Sequence, residues 1–227
     1  MKNNVIIVAG GKGLRMGTDL PKQFIPIGDR PILMHTIQNF YDYDQAINII
    51  LVLPQSHQGY WADLCEEYKF TVPHTIAIGG EARFHSVDNG LEFVHEGLVA
   101  VQDGVRPFGS IALIRRCFEA AAIHKAIIPV VPSIDSLREV SAGGRSRIVD
   151  RANIRLIQTP QVFDAILLKK AYESGFKDSY TDDASVVEAM GTDIHLVEGE
   201  VTNIKITTSF DLQIGEVIYN GKCGISE

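Results

Sequence analysis

Short apolar runs rich in β-branched residues recur along the chain, and segments with helical periodicity separate them. The runs are NVIIVAG, INIILVLP, TIAIGG, LVAVQDG and AIIPVVP. Each is nearly continuous in apolar character and closes on Gly, Pro or Asp, which is typical of strands buried on both faces. Helical spacing is found between them in PILMHTIQNF, WADLCEEY, RFHSVDNGLEFV and SIALIRRCFEAAA. This alternation predicts an α/β fold built from right-handed βαβ units, with a mainly parallel sheet flanked by helices.

The alternation changes over residues 133–160. This segment, SIDSLREVSAGGRSRIVDRANIRLIQTP, has an alternating pattern, a GG turn and little helical signal. It predicts a β-hairpin that projects from the sheet as an arm, with the arm placed at residues 134–154. After it, the predicted helices are DAILLKKAYES, DDASVVEAMG and a closing DLQIGEVIY, and the predicted strands are IHLVEG and NIKITT. No internal repeat interrupts the pattern, so residues 1–227 are expected to form a single domain.

Composition excludes several classes of function. A hydrophobic content of 45% and a charged content of 22% are ordinary for a globular protein. The apolar stretch in MKNNVIIVAGG is too short for a signal peptide, and no run reaches the roughly 18 apolar residues of a membrane span. The scattered Cys65, Cys117 and Cys223 contain no CxxC pair, which predicts reduced cysteines, no zinc site and a cytoplasmic location. The net charge of -7 disfavours nucleic acid as a partner, so any anionic ligand needs a local basic patch.

A glycine-rich and basic stretch, VAGGKGLRMGTDLPKQF, follows the first predicted strand. It lacks the GxxxxGK[ST] spacing of a P-loop, and Met16 stands where a dinucleotide fingerprint has its third glycine, which disfavours hydride transfer. A glycine turn still allows backbone N–H groups to approach a ligand closely, and Arg15 and Lys22 add positive charge. From these residues alone, a phosphate-binding loop and an ordinary loop with solvated basic residues both remain open.

The other candidate motifs follow predicted strands as well. GGEARFHS and QDGVRP come directly after the apolar runs TIAI and LVAV. Ligands of open α/β sheets bind at the carboxyl ends of the strands. We therefore expect these motifs and the glycine-rich stretch to meet at one edge of the sheet.

Eight motifs along essentially the whole chain resemble those of one family of nucleotidyltransferases. AGGxGxRM…PKQF resembles the signature of enzymes that transfer NMP from an NTP to a phosphate or a sugar phosphate. The motifs GGEARFHSVDNGL, QDGVRPF, IDSLRE, VDR, QTPQVF, TDDASVVEAMG and NIKITT then follow in family order. This order is similar to that of the cytidylyltransferases that make 4-diphosphocytidyl-2-C-methyl-D-erythritol in the non-mevalonate isoprenoid pathway. The resemblance implies a Rossmann-like nucleotidyltransferase fold, CTP and methylerythritol phosphate as substrates, Mg²⁺, and a homodimer joined through the arm.

The resemblance also assigns roles to individual residues. The attacking phosphate is mostly dianionic at pH 7, so the chemistry needs positioning and positive charge and no general base. The groups expected to stabilise the transition state are Arg15, Lys22 and Lys205. The expected nucleotide contacts are Ala9, Gly10, Gly11, Gly13, Gly79, Gly80, Arg83 and Ser86. The expected acceptor-site residues are Asp103, Arg106, Ser136, Arg151, Thr159 and Lys205, and Asp103 is also the expected Mg²⁺ ligand.

Three alternative functions remain open. The related ribitol-5-phosphate cytidylyltransferases share AGGKG, VRPF, QTPQ and NIK-T, although TDDASVVE and VDR favour methylerythritol phosphate. A sugar-nucleotide pyrophosphorylase is disfavoured by the short chain. A non-catalytic nucleotide-binding regulator would be expected to lack a charged site residue, and none is missing. TDDASVVEAMG also has a purely structural interpretation, in which Thr181 caps a helix.

Overall fold

The computed structural model of the chain describes residues 2–10 and 20–224, the last three of these by their backbone alone. Its strands are β1 (Asn3–Val8), β2 (Pro26–Ile27), β3 (Arg30–Pro31), β4 (Asn48–Leu53), β5 (Thr75–Ile78), β6 (Leu98–Asp103), β7 (Ala126–Pro132), β8 (Leu137–Val140), β9 (Ser146–Val149), β10 (Arg155–Ile157), β11 (Gln161–Asp164) and β12 (His195–Glu198). Its α-helices are α1 (Ile32–Tyr43), α2 (Gln55–Glu67), α3 (Arg83–Leu91), α4 (Ile111–His124), α5 (Ala165–Tyr172), α6 (Asp183–Glu188) and α7 (Ser209–Gly224). Short 3₁₀ helices cover Lys22–Phe24 and Arg151–Asn153.

One mixed sheet organises the described residues. Its strand order is β10–β7–β11–β6–β1–β4–β5, and β12 pairs with β7 outside this path. The strands β6, β1, β4 and β5 run parallel to one another, as β12 does to β7. Only β10 and β11 run antiparallel within it. The predicted α/β fold with a mainly parallel sheet is confirmed.

Strand side chains alternate between two apolar cores, one on each face of the sheet. On β1, for example, Val5 and Ile7 belong to one core and Ile6 to the other. Helices α1, α2 and α4 cover the first face, whereas α3, α5 and α6 cover the second. Burial on both faces explains why the strands read as nearly continuous apolar runs. In the described part of the chain, no helix is both long and apolar enough to cross a membrane.

The antiparallel strands β10 and β11 were not predicted. The sequence analysis assigned all of 133–160 to a hairpin, but only β8 and β9 pair with each other there. The chain then returns to the main sheet, where Val162 and Phe163 are fully buried between β6 and β7. Non-local pairing decides this strand, and the pattern of the arm gave no sign of it.

Two further expectations were wrong. NIKITT is not a strand, because side chains bind much of its backbone: the Asn203 carbonyl accepts from Arg106, and the Thr207 and Thr208 N–H groups donate to Asp211. Thr181 does not cap the following helix. The cap of α6 is the next residue, Asp182, whose side chain accepts from the backbone of the third helical residue in a capping box.

The hairpin β8–β9 lies where the arm was expected. It forms its own two-stranded sheet, and Arg151 Nη1 donates to the Ile134 carbonyl at its base. Its apolar side chains are largely exposed: Ile134 by 76%, Val140 by 64% and Ile148 by 78%. A two-stranded ribbon with so little buried apolar surface gains little stability from its own contacts.

Candidate active site

Backbone turns line the carboxyl edge of the parallel strands. Just beyond β1 and β5, the Ala9 and Gly79 N–H groups donate to strand β4, at 3.0 Å to the Val52 carbonyl and 2.8 Å to the Leu53 carbonyl. Gly80 is confined, because a Cβ there would lie 2.3 Å from the Cβ of His85 and 2.9 Å from its carbonyl carbon. Only glycine lets the β5 turn pack this closely against the start of α3.

A cavity of about 260 Å³ opens at this edge. Five of the predicted nucleotide contacts line it, namely Ala9, Gly10, Gly80, Arg83 and Ser86. Its other charged lining residues are Lys22, Glu81, Asp103 and Lys205. Ser86 Oγ accepts from the Gly80 N–H at 3.0 Å and donates to the Ala82 carbonyl at 3.1 Å, so it braces the turn. We call this space the first cavity.

A second cavity, of about 240 Å³, lies beside it. Four predicted acceptor residues line it, namely Asp103, Arg106, Thr159 and Lys205. The rest of its lining includes Ile157, Gln158, Gln161, Thr181 and Asp182. Arg83, Asp103 and Lys205 line both cavities. Two ligands bound in these spaces would therefore meet at one charged wall.

Asp103 is the centre of that wall. It is the last residue of β6, and its Oδ2 lies 3.0 Å from Lys205 Nζ and 3.2 Å from Arg106 Nε. Its Oδ1 lies 3.8 Å from Arg83 Nε. Burial alone would raise the pKa of Asp103, but the three cations outweigh burial and lower the pKa to about 2. The carboxylate is therefore ionised at neutral pH.

Arg83 has a second and closer partner. Its Nη2 lies 2.6 Å from Oδ2 of Asp183, the first residue of α6, whose side chain is fully buried. Tyr172 donates its hydroxyl to the other oxygen of Asp183 at 2.7 Å. Burial works against the charge on Arg83, yet Asp183 raises the pKa of the guanidinium above its ordinary value. The sequence analysis missed this pair; the carboxylate lies within TDDASVVE, which was interpreted there as a helix start.

Buried polar groups hold the Lys205 segment against the end of β6. Arg106 Nη1 donates to the Asn203 carbonyl at 2.8 Å, and Asn203 Nδ2 donates to the Thr159 carbonyl at 2.8 Å. The Asp103 N–H donates to Thr159 Oγ1 at 3.1 Å. Three distant parts of the chain thus share one hydrogen-bonded unit, which fixes where Lys205 can reach.

The 3₁₀ helix Lys22–Phe24 brings Lys22 to the first cavity. The buried Gln23 donates its Nε2 to the Ala9 carbonyl at 2.8 Å, which ties this turn to the end of β1. Phe24 stacks on Trp61 with a centroid distance of 6.3 Å and anchors the turn in the core. The predicted residues Gly11, Gly13 and Arg15 lie outside the described residues.

Comparison with known proteins identifies the family. The sequence profile of IspD, 2-C-methyl-D-erythritol 4-phosphate cytidylyltransferase, matches residues 4–220. A protein of that name from Bacteroides thetaiotaomicron is 58% identical over 219 residues, covering 96% of this chain and 100% of the relative. The chain belongs to this family.

Solved structures of the family agree with the fold. The 4-diphosphocytidyl-2C-methyl-D-erythritol synthase of Anaerococcus prevotii superimposes with a TM-score of 0.83 at 30% identity, over 96% of each chain. The 2-C-methyl-D-erythritol 4-phosphate cytidylyltransferase of Thermus thermophilus gives 0.80 at 33% identity, over 97% of this chain and 100% of that one. The expected Rossmann-like nucleotidyltransferase fold is confirmed.

Three of the family-derived residues do not reach the two cavities. Gly79 lies behind the first cavity, where its N–H extends the strand pairing. Ser136 and Arg151 belong to the arm, are exposed, and line neither cavity. Within one copy of the chain, the predicted acceptor residues that line the second cavity are Asp103, Arg106, Thr159 and Lys205.

Proposed function

We propose that the protein transfers CMP from CTP to 2-C-methyl-D-erythritol 4-phosphate and releases pyrophosphate, with CTP in the first cavity and the acceptor in the second. The product is 4-diphosphocytidyl-2-C-methyl-D-erythritol. The observation that carries this assignment is the charged wall of Arg83, Asp103 and Lys205 that both cavities share. The α-phosphate of CTP and the acceptor phosphate must meet at such a place, because one attacks the other.

The reaction needs charge more than proton transfer. An oxygen of the acceptor phosphate attacks the α-phosphorus; a new P–O bond forms as the bond to pyrophosphate breaks. The acceptor phosphate is mostly dianionic at neutral pH, so no base has to remove a proton. Lys22 and Lys205 flank the first cavity and would stabilise the charge that develops on the transferring group. Arg15, which lies outside the described residues, is proposed as the third such cation.

Selection of cytosine falls to the backbone groups of the glycine turns. Ala9, Gly10 and Gly80 present main-chain atoms at the first cavity, and the turn braced by Ser86 fixes its size. A narrow space of this kind favours a pyrimidine over the larger purine ring. Gly11 and Gly13 complete the proposed loop over the phosphates.

Asp103 is the candidate ligand for Mg²⁺. Among the described residues, no three His, Cys, Asp or Glu side chains cluster as a ready-made metal site. A single ionised carboxylate suits Mg²⁺ that arrives on nucleotide phosphates, because this ion keeps several waters and few protein ligands. Held there, the ion would supply positive charge beside the α-phosphate. Binding of the ion would weaken the ion pairs of Asp103 with Lys205 and Arg106.

The arm is proposed to join two copies of this single-domain chain. Its exposed apolar side chains would be buried against a partner surface. Its Ser136 and Arg151 are exposed and do not form a binding site by themselves. In a two-fold dimer each arm would reach the other subunit, and Ser136 and Arg151 would complete the partner's acceptor side. A cytoplasmic location stays a prediction from the scattered cysteines.

The test of the reaction offers the purified protein CTP and Mg²⁺ with either methylerythritol phosphate or ribitol 5-phosphate. Pyrophosphate release should depend on methylerythritol phosphate. A preference for ribitol 5-phosphate would replace the proposed acceptor, and comparable turnover of UTP or ATP would contradict the cytosine pocket. No acceptor-dependent release at all would overturn the assignment.

The test of the charge argument uses Lys22→Ala, with Lys170→Ala on the exposed side of α5 as the matched control. Loss of one preorganised contact to the transition state costs about 10²–10³ in rate, so kcat should fall far more than CTP binding weakens. The control should behave as wild type. A Lys22→Ala protein of near wild-type turnover would remove Lys22 from the site.

The test of the arm co-refolds two variants, Lys22→Ala and Arg151→Ala. If Arg151 acts across the dimer, one site of each mixed dimer regains both residues and activity partly returns. If Arg151 acts within its own chain, every site lacks one residue. Mixed dimers that form but stay inactive would rule out the shared site.

A further inference from the structure

Arg83 lies between two carboxylates that differ in distance and burial. Its Nη2 is 2.6 Å from Asp183 Oδ2, whereas its Nε is 3.8 Å from Asp103 Oδ1. The Asp183 side chain is 0% exposed and lines neither the first nor the second cavity. The stronger hold on Arg83 therefore comes from a group that a ligand in these cavities does not touch.

Both oxygens of Asp183 have fixed partners. The Tyr172 hydroxyl donates to Oδ1 at 2.7 Å, and its ring stacks on Phe84 with centroids 4.4 Å apart. The neighbouring Ala184 N–H donates to the buried Gln161 Oε1 at 3.0 Å, which pins the start of α6. The carboxylate cannot follow Arg83 if the guanidinium moves, so it acts as a fixed anchor.

Asp183, the fixed anchor, determines which carboxylate pairs with Arg83. The Arg83 side chain is 31% exposed, so a carboxylate stabilises its partly buried guanidinium, and pairing through two of its nitrogens is the strongest form of that contact. Without Asp183, the nearest carboxylate is Asp103, which both cavities share. Closure of Arg83 on Asp103 would withdraw the cation from the nucleotide and cover the oxygens that face the ligands.

We propose that Asp183, held by Tyr172, is a positioning residue for nucleotide binding: it keeps Arg83 at the wall of the first cavity and prevents it from closing on Asp103. The inference rests on the proposed function for the role of Arg83 toward CTP. It adds two residues to the site that neither touch the nucleotide nor react.

The experiment measures CTP binding by calorimetry over a series of Mg²⁺ concentrations, with no acceptor present. Asp183→Asn should raise the Kd of CTP roughly 10- to 100-fold, the range for loss of a hydrogen bond to a charged group. The Mg²⁺ concentration that supports half-maximal CTP binding should rise as well, because Arg83 then competes for Asp103. Tyr172→Phe keeps the stacked ring and should shift both quantities in the same direction by less.

The matched control is Tyr180→Phe. Tyr180 also stacks on Phe84, at 6.1 Å, but its hydroxyl lies beside Ser174 and not Asp183. Its removal should leave both the Kd of CTP and the Mg²⁺ dependence unchanged. A purely structural role for the aromatic cluster predicts equal effects of Tyr180→Phe and Tyr172→Phe, and that result would overturn the proposal.

A double-variant cycle separates positioning from general damage. If Asp183 acts through Arg83, the effect of Asp183→Asn should vanish once Arg83 is replaced. The double variant Arg83→Met/Asp183→Asn should then bind CTP no more weakly than the single variant Arg83→Met. Losses that multiply would contradict the proposal. Should Asp183→Asn fail to fold, Tyr172→Phe decides alone, and CTP binding within about twofold of wild type at every Mg²⁺ concentration overturns it. If the wild-type protein binds CTP but releases no pyrophosphate in the presence of acceptor, the proposed function is contradicted and the proposal for Asp183 is not.

Discussion

Replacing Asp103 by asparagine tests the charged wall most directly. The carboxylate stabilises the folded chain because Arg83, Lys205 and Arg106 lower its pKa from 3.8 to about 2, against the effect of burial. A lowering of this size stabilises the folded chain by about 2–3 kcal/mol at neutral pH. Its side chain is only 12% exposed, so water screens these contacts little. Asparagine has the shape of the protonated acid and should forfeit this contribution.

The contribution of Asp103 to the free energy of unfolding depends on pH, and the direction of its pKa change fixes how. The pKa is lower in the folded state, so the contribution is fully present above about pH 4 and is lost as the pH falls through about 2. The difference in free energy of unfolding between wild type and Asp103→Asn should therefore be about 2–3 kcal/mol at pH 7 and roughly half of that at pH 3. Urea unfolding followed by the fluorescence of Trp61, the single and fully buried tryptophan, measures it.

Two results would refute the reasoning. Equal stability of wild type and Asp103→Asn at pH 7 would mean that the three cations do not stabilise the carboxylate. A difference that stays constant between pH 7 and pH 3 would mean that the lost stability has another origin than ionisation. In the same variant, the Mg²⁺ dependence of CTP turnover should weaken, and an unchanged metal titration would point to a different ligand.

Two more substitutions test how the site is built. Gly80→Ala should raise the KM for CTP sharply, because its Cβ would meet the Cβ of His85 at 2.3 Å, whereas Gly59→Ala on α2, where nothing lies within 4 Å, should leave KM unchanged. Equal effects of the two would contradict the packing argument. Thr159→Val should lower the free energy of unfolding by about 1–3 kcal/mol, because it leaves the buried Asp103 N–H without its acceptor, while Thr159→Ser should retain it; urea unfolding of both decides.

The parallel part of the fold could be predicted because its signal is local. The strands β1, β4, β6 and β7 are nearly continuous apolar runs, and burial on both faces demands that pattern, whereas β5 at the edge of the sheet is exposed except at Ala77. The antiparallel strand β11 carries only a short apolar pair, Val162 and Phe163, between β10 and the start of α5. Its place between β6 and β7 depends on partners distant in sequence, so local periodicity could not reveal it.

The sequence predicts which charged residues belong to the site, but not which of them form ion pairs with one another. Asp103 follows an apolar strand, which places a carboxylate at the ligand-binding edge from sequence alone. That Arg83 pairs with Asp183, a hundred residues away, depends on α3 and α6 covering the same face of the sheet. The pattern of α6 also had a sufficient local explanation as a capped helix start. Asp182 caps the helix and the neighbouring Asp183 pairs with Arg83, so the local pattern gives no separate signal for the pair.

The wall carries more positive than negative charge, although the whole chain has a net charge of -7. Three cations, Arg83, Arg106 and Lys205, lie within 3.8 Å of one or both of two carboxylates, Asp103 and Asp183. In the empty protein the two carboxylates keep these cations from repelling one another. When phosphates enter, Asp103 can share its partners with them, since it lines both cavities, whereas the fully buried Asp183 cannot. Substrate phosphates can thus replace Asp103 as the partner of these cations, whereas Asp183 stays paired with Arg83. Under the proposed function, this division would keep the cations in place while phosphates bind and after the product leaves.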